Sequence, residues 1–233
     1  MNQHIIPDAT FFPFLSEEKS LERAASKIRE KTYNYVKNSR LQSLVLGISG
    51  GIDSALCAAL LRPICQELQI PLIGRSITIE TNKADEIERS IWVGESFCND
   101  FQHLDLTETF LENKKLLINF DDSHLSKMRQ GNMKARMRMM VLYDLAQLYR
   151  GMVISTDNYT EFLTGFWTLH GDVGDYAPIF PLWKTEVFNL STYLLKECNS
   201  EQYKAKEAEN RSVLGYWEAD TVAGTKGSAS VLT

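Results

Sequence analysis

The chain has 233 residues, and its 25 lysine and arginine residues against 30 aspartate and glutamate residues give a net charge of −5 at pH 7. A mildly acidic chain is poorly suited to binding DNA or RNA through phosphate contacts. Hydrophobic residues make up 44% of the chain, which is enough for a sizeable core and argues against general disorder. No apolar run approaches the roughly 18 residues that cross a bilayer, and the N-terminus lacks the pattern of a signal peptide. These features predict a soluble protein of the cytoplasm.

The predicted elements alternate between helices and short apolar strands along the chain. We expect helices over 16–38, 53–68, 84–98 and 132–150, and strands over 44–48, 71–79, 101–106 and 151–155. This alternation predicts an α/β fold with a parallel sheet that has helices on both faces. Ligands of such sheets bind beyond the carboxyl ends of the strands, where Ser49-Gly50-Gly51 and Ser155-Thr156-Asp157 fall.

The length favours one domain over residues 1–218, followed by a tail of mostly small residues at 219–233 that we predict to be disordered. The 4 cysteines, at positions 57, 65, 98 and 198, form no C-x-x-C pair and no metal-binding spacing, so we expect reduced, buried thiols.

The helix predicted over 132–150 carries an apolar stripe that we expect to pack in the core rather than to hold a cofactor. Its members are Met133, Met137, Met140, Val141, Leu145 and Leu148. Arg136 and Arg138 flank the stripe, and we expect one of them to reach a ligand phosphate and the other to be solvated.

The stretch Gly47-Ile48-Ser49-Gly50-Gly51-Ile52-Asp53-Ser54 lies between a predicted strand and a predicted helix. Adjacent glycines allow a sharp turn whose N–H groups can surround an anion, and the helix adds its positive N-terminal end. The carboxylate of Asp53 stands where a Mg²⁺ ion bound to phosphate would lie. The pattern therefore favours a phosphate site with an adjoining metal ligand.

Several known motifs are alternative interpretations of this turn. A Walker A loop needs a lysine after the glycines, and the dinucleotide pattern needs glycine at the position of Ser49, so neither fits. Gly47 to Gly51 does fit G-x-S-x-G, the nucleophile elbow of α/β-hydrolases. A plain tight turn with a capping serine is a third interpretation, and these five residues alone do not choose among them.

A second polar cluster follows the strand over 151–155. It contains Thr156, Glu161, the Gly-Asp steps around Asp172 and Asp175, and Lys184, interleaved with aromatic residues. Glu161 could complete a magnesium site with Asp53, and Lys184 could neutralise phosphate charge, although an ordinary solvated helix residue is an equal alternative for each.

Taken together, these segments resemble the NAD synthetase family of N-type ATP pyrophosphatases, which belong to the PP-loop superfamily. The matching segments are LVLGISGGIDS at 44–54, GNMKARMRM at 131–139, STDNYTE at 155–161, GFWTLHGDVGDYAP at 165–178 and LWKTEVF at 182–188. The resemblance covers residues 20–197 and implies an adenine nucleotide alpha-hydrolase-like, Rossmann-like fold. The first segment marks only the wider superfamily, and the others narrow it to this family.

The resemblance also implies roles for the matching positions. ATP would be held by Gly47, Ile48, Ser49, Gly50, Gly51, Ile52, Asp53, Ser54, Thr156 and Lys184, and Mg²⁺ by Asp53 and Glu161. Deamido-NAD would contact Arg136, Asp172 and Asp175, and Asp53 and Lys184 would take part in catalysis. The family is usually a homodimer.

The implied reaction is ATP-dependent amidation of deamido-NAD to NAD with ammonia, through an acyl-adenylate and with release of AMP and pyrophosphate. Leu169 stands where many family members carry a lysine that touches the dinucleotide, and the family's later ATP-contacting segment has no counterpart after Glu197. These departures leave two alternatives open. The protein could catalyse the same adenylation on another carboxylate, such as nicotinate mononucleotide, or it could bind the nucleotide without turnover. The α/β-hydrolase alternative requires a catalytic triad, in which an aspartate or glutamate and then a histidine follow Ser49 along the chain.

Overall fold

The structure is a computed structural model that describes residues 14–80, 82–116, 121 and 123–197. Cys198 and the tail at 219–233 lie outside these residues, as does the whole segment after Glu197. The division into one domain and a disordered tail therefore stays a prediction.

Four strands form one parallel sheet in the order β3-β2-β1-β4. They are β1 (Ser43–Gly47), β2 (Leu72–Thr78), β3 (Asp100–Asp105) and β4 (Gly151–Ile154). In this register Val45 of β1 lies opposite Ile73 of β2 on one side and Val153 of β4 on the other. The sequence-based expectation of a parallel α/β sheet is confirmed, and each strand lies within two residues of its predicted bounds.

Seven helices are found in the described residues. They are α1 (Glu18–Asn38), α2 (Ile52–Leu68), α3 (Ala84–Phe97), α4 (Thr107–Lys114), α5 (His124–Leu148), α6 (Tyr159–Thr164) and α7 (Lys184–Glu197). Of these, α5 begins well before the position predicted for it. Ser123 explains the early start because its side chain caps the helix by accepting a hydrogen bond from the Ser126 N–H at 3.2 Å.

The sheet is covered on both faces because its strand residues alternate in direction. Leu44 and Leu46 point into a large apolar cluster that includes residues of α1, α2, α3 and α7. Val45, between them, points to the opposite face and packs in a smaller cluster with α5. The carboxyl ends of β1 and β4 are thus left at one edge, where the loops that follow them meet.

The apolar stripe predicted on α5 is wrong in part. Met140 and Leu148 are exposed by 71% and 67%, whereas Met139, Leu142 and Ala146 are buried against the sheet. Methionines and leucines lie on more than one face of this helix, so the apolar pattern did not define a single buried side. The other four predicted members do pack inward: Met137 is buried, and Met133, Val141 and Leu145 lie partly buried against the core clusters.

The cysteine prediction holds for the three that are described. Cys57 and Cys65 are buried, Cys98 is half-buried, and all three are free thiols. Burial raises the pKa of Cys65 and of Cys98 to about 12, so both stay protonated near neutral pH. Across the described residues, we find no helix with the length and apolar character needed to span a membrane.

Candidate functional site

The turn between β1 and α2 depends on glycine at position 50. Its backbone φ is +86°, a conformation that side chains disfavour, and a Cβ built there would lie 2.3 Å from the Glu86 carbonyl oxygen. The first turn of α3 therefore packs directly against this loop. We call residues 47–54 the glycine loop.

Hydrogen bonds inside the glycine loop define its shape. The Gly51 N–H donates to Ser49 Oγ at 3.1 Å, and Ser54 Oγ donates to the Gly51 carbonyl at 3.1 Å. By contrast, the N–H groups of Gly50, Ile52 and Asp53 have no hydrogen-bond acceptor in the described part of the chain. Unpaired donors beside the positive N-terminal end of a helix form an anion site.

The serine of the loop lacks the base that a hydrolase requires. The hydroxyl of Ser49 contacts Ser54 Oγ at 3.2 Å and accepts from Gly51. Among the described residues, no histidine is hydrogen-bonded to Ser49, and His103 instead contacts Ser76 at 3.0 Å. The geometry favours the anion-binding interpretation over the nucleophile elbow.

The two distant polar segments of the sequence meet at Asp53. Its Oδ2 lies 2.5 Å from Lys184 Nζ, which in turn lies 3.9 Å from Glu161 Oε1. The other oxygen, Oδ1, accepts a hydrogen bond from the side-chain amide of Asn158 at 2.9 Å. The expected proximity of the two carboxylates is therefore found, with an ammonium group beside both.

Local hydrogen bonds of α6 and α7 fix these side chains. Asn158 and Glu161 form a capping box at the start of α6, in which each side chain accepts from the backbone N–H of the other at 3.1 Å. Glu161 uses Oε2 for this bond, which leaves Oε1 facing Lys184. Lys184 is the first residue of α7, and its N–H donates to Thr160 Oγ1 at 3.0 Å.

The site carries more carboxylates than cations. Burial, and next the Asp53 carboxylate, raise the pKa of Glu161 to about 7. Burial likewise raises the pKa of Asp157, with a smaller contribution from Asp53. The pKa of the Cys57 thiol beneath them is raised first by its burial and then by the charges of these three acids. The surroundings of Asp53 are therefore suited to a further cation.

The residues fit a magnesium ion that is shared with a nucleotide. Mg²⁺ prefers oxygen ligands and is commonly held by one or two carboxylates together with phosphate oxygens. Asp53 and Glu161 offer two carboxylates next to the free N–H groups of the glycine loop. In the residues that can be described, no group of three or more histidine, cysteine or acidic side chains is arranged to hold a metal alone.

A cavity of about 360 Å³ opens beside the glycine loop. Thr156 and Asp172, two of the predicted ligand contacts, line it together with Gly47 to Gly51. Asp172 also accepts the Thr168 N–H through Oδ1 at 2.6 Å, which orients its carboxylate. The pKa of Asp172 is raised to about 6, chiefly by desolvation.

Arg136 and Asp175 do not line this cavity. Arg136 is exposed, and its Nε donates to the Leu169 carbonyl at 3.2 Å. Asp175 accepts from the Val153 N–H and from the Tyr143 hydroxyl, both at 2.9 Å. Their proposed contacts with a substrate remain predictions.

The sequence alone indicates no definite role for three residues of the site, Asn158, Arg138 and Arg89. Asn158 is fully buried, and its side-chain amide donates a hydrogen bond to Asp53. The sequence signal that could have indicated this role is its position shortly after the end of β4. Arg138 lines the cavity. Side chains two positions apart on a helix point in directions that differ by about 200°, so Arg136 and Arg138 cannot both face it. Arg89 donates to the Gly50 carbonyl from α3, and no sequence pattern indicated that contact.

Comparison with known proteins decides the family. Residues 24–203 match the sequence profile of the family described as NAD synthase. The chain belongs to the NAD synthase family. The fold and the position of the glycine loop agree with this membership.

Individual NAD synthases support the assignment. The NH3-dependent NAD+ synthetase of Campylobacter jejuni is 35% identical over 181 residues, which cover 76% of this chain and 68% of the relative. A solved structure of a Campylobacter jejuni NH3-dependent NAD synthetase is similar, with a TM-score of 0.68 and 28% identity over 81% of this chain and 77% of that one. The NMN synthetase of Francisella tularensis is also similar, with a TM-score of 0.66 and 26% identity over 87% and 79% of the two chains.

Proposed function

We propose that this protein is a carbon–nitrogen ligase that converts deamido-NAD to NAD with ATP and ammonia. The observation that carries the proposal is the meeting of Asp53, Glu161 and Lys184 next to the unpaired N–H groups of the glycine loop. Its family membership and the NH3-dependent NAD+ synthetases among its relatives support the same reaction.

The reaction needs ATP because a carboxylate is a poor electrophile toward ammonia. In the first step, a carboxylate oxygen of the nicotinate group attacks the α-phosphorus of ATP, and the bond to the β-phosphate oxygen breaks, releasing pyrophosphate. In the second step, ammonia attacks the acyl carbon of the resulting acyl-adenylate, AMP leaves, and the ammonia nitrogen loses a proton. The product is the amide.

The chain's own residues contribute mainly position and charge. The N–H groups of Gly50, Ile52 and Asp53 would bind phosphate oxygens, and Lys184 would neutralise charge as pyrophosphate departs. Asp53 and Glu161 would hold Mg²⁺, which when bound supplies charge neutralisation on the triphosphate. Asn158 fixes the Asp53 carboxylate through its 2.9 Å bond and so orients one of the two metal ligands.

A second acceptor is favoured by one specific observation. The Francisella tularensis structure that resembles this chain is an NMN synthetase. In this chain, Leu169 is 49% exposed at the position where the family resemblance leads one to expect a lysine for the dinucleotide. Nicotinate mononucleotide is therefore the alternative substrate, with the same adenylation step.

The proposed assembly is a homodimer that works in the cytoplasm. This assignment follows the family resemblance. The exposed apolar residues on α5, among them Met140 and Leu148, supply a surface for a second copy.

The test is a reaction containing ATP, Mg²⁺, ammonia and either deamido-NAD or nicotinate mononucleotide, with AMP and amide product measured together. We expect equal amounts of AMP and NAD from the dinucleotide. Asp53→Asn removes one metal ligand and should reduce turnover at least 100-fold, a loss of about 3 kcal/mol of transition-state stabilisation.

Glu22→Gln is the control, because Glu22 is an exposed residue of α1 that contacts neither the site nor the proposed dimer face of α5. It should keep wild-type turnover. If nicotinate mononucleotide is amidated faster than deamido-NAD, the mononucleotide is the preferred substrate and the first proposal is wrong on this point. If the protein binds ATP but forms no AMP with either acid as acceptor, it is instead a nucleotide-binding protein without turnover.

A further inference from the structure

A side chain of α3, Arg89, holds the glycine loop and also lines the cavity beside it. Arg89 is only 8% exposed, and its Nε donates to the Gly50 carbonyl oxygen at 3.1 Å. Its Nη1 donates to Asp85 Oδ2 at 2.8 Å, one helical turn away. The single guanidinium group thus joins the loop to the first turn of α3.

This contact acts on the most easily rotated peptide unit of the loop. The unit joins Gly50 to Gly51, and neither residue has a Cβ that would oppose rotation. In a trans peptide the carbonyl and the N–H point to opposite sides. Arg89 holds the carbonyl toward α3, so the Gly51 N–H points the other way, toward Ser49 Oγ at 3.1 Å.

Rotation of this peptide would reverse its charge pattern. The Gly50 carbonyl oxygen would turn toward the hydroxyl groups of Ser49 and Ser54, and a partial negative charge would then stand among the donors for phosphate. A loop in that state binds an anion poorly, and the apparent dissociation constant rises as the competent fraction falls.

We propose that Arg89 is a positioning residue that keeps the Gly50–Gly51 peptide in the orientation that binds the phosphates of ATP. The inference rests on the proposed function of the glycine loop. Arg89 acts through the loop backbone, and the hydrogen bond of a charged donor to a buried carbonyl is strong enough to hold one orientation.

The test compares Arg89→Met, which keeps an unbranched apolar stem but removes every donor, with Asp85→Asn, which breaks the ion pair and leaves the bond to Gly50. We expect Arg89→Met to raise both the ATP dissociation constant and the KM for ATP at least tenfold, with the KM for the acid and for ammonia within twofold. Asp85→Asn should leave all three within twofold. A defect of α3 common to both variants would change them alike and would overturn the proposal.

A second measurement separates positioning from direct contact with the phosphates. Hydrogen exchange is followed by mass spectrometry in the nucleotide-free proteins, on fragments that contain residues 47–56. We expect faster exchange of the loop amides in Arg89→Met than in the wild type or in Asp85→Asn. Unchanged exchange would contradict the inference even if ATP binding weakens.

Arg89→Lys provides a further variant if the methionine substitution unfolds the protein. Lysine keeps one donor, so we expect an ATP dissociation constant between those of the wild type and Arg89→Met, and a value equal to the wild type would also contradict the inference. ATP binding by calorimetry needs no acceptor. Failure to form NAD in the wild type would therefore overturn the proposed function while leaving the Arg89 test intact.

Discussion

Glu161 lies in a place that disfavours the charged form of its side chain. The side chain is 24% exposed, and burial and then Asp53 raise its pKa from an ordinary 4.5 to about 7. Between these two values the folded state binds more protons than the unfolded state at this group, so its contribution to stability falls as the pH rises. Acidic groups kept at such a cost are typical of functional sites.

We therefore expect Glu161→Gln to gain stability relative to the wild type as the pH rises from 4.5 to 7. The gain should be about 1–3 kcal/mol, because one pKa unit corresponds to about 1.4 kcal/mol and solvent screens part of the cost at a partly exposed side chain. Glutamine can still accept the capping hydrogen bond from Asn158. The measurement is urea unfolding in EDTA at pH 5 and pH 7.5.

Glu22→Gln is again the control, because this exposed substitution on α1 should change stability equally at both pH values. If the difference between Glu161→Gln and the wild type is the same at pH 5 and pH 7.5, the charge of Glu161 is not under this strain. Saturating Mg²⁺ with ATP should stabilise the wild type but not the variant, because a bound ligand stabilises only the state that binds it.

At this scale the sequence predicted the two carboxylates and the lysine better than the arginines. Asp53, Glu161 and Lys184 lie where the strand ends and helix starts predicted them, because each of these positions is fixed by local capping or turn structure. The choice between Arg136 and Arg138 depended on the rotation of α5 about its axis, which is set by packing against the sheet. Arg89 lies in a different element from its partner Gly50, so only tertiary structure reveals the pair.

Two glycines show how differently the elements use this residue. Gly50 has a positive φ and no room for a Cβ, whereas Gly131 lies inside α5 with no atom of the described residues within 4 Å of a built Cβ. We expect Gly131→Ala to stabilise the protein by about 0.5–1 kcal/mol, because alanine restricts the unfolded chain and favours helix. Gly50→Ala should destabilise it by about 1–3 kcal/mol and weaken ATP binding, because the loop must leave its strained conformation.

Thermal unfolding of both variants and calorimetric titration with ATP check these opposite signs. Destabilisation by Gly131→Ala would mean that this part of α5 has a neighbour outside the described residues. Tolerance of Gly50→Ala with intact ATP binding would refute the packing of the glycine loop against α3.

Element type and order followed from the sequence because strand, turn and helix alternate with clear apolar periods. The start of α5 did not, because its first two turns lack a regular apolar pattern and the cap at Ser123 is a single side chain. The buried face of α5 is predicted only in part, for the related reason that Met139 and Met140 are equally apolar. Only packing against Val45 and Val153 of the sheet selects Met139.

For the whole molecule, the outward face of α5 determines the expected assembly. Met140 and Leu148 are separated by two helical turns on one side of α5, and Tyr143 beside them is 40% exposed. Isolated apolar residues are common on surfaces, but several on one helix face indicate a contact with another copy. A twofold dimer would place the same face of each chain against its partner.

We expect sedimentation equilibrium to give twice the chain mass of 26.6 kDa for the wild type. Met140→Glu should shift this mass toward that of the monomer, because a carboxylate at the centre of an apolar interface loses its hydration without a partner. Met140→Leu keeps the apolar surface and should remain dimeric. A wild-type monomer, or a dimer that Met140→Glu leaves intact, would show that this face of α5 is not the interface, whatever the activity of the single chain.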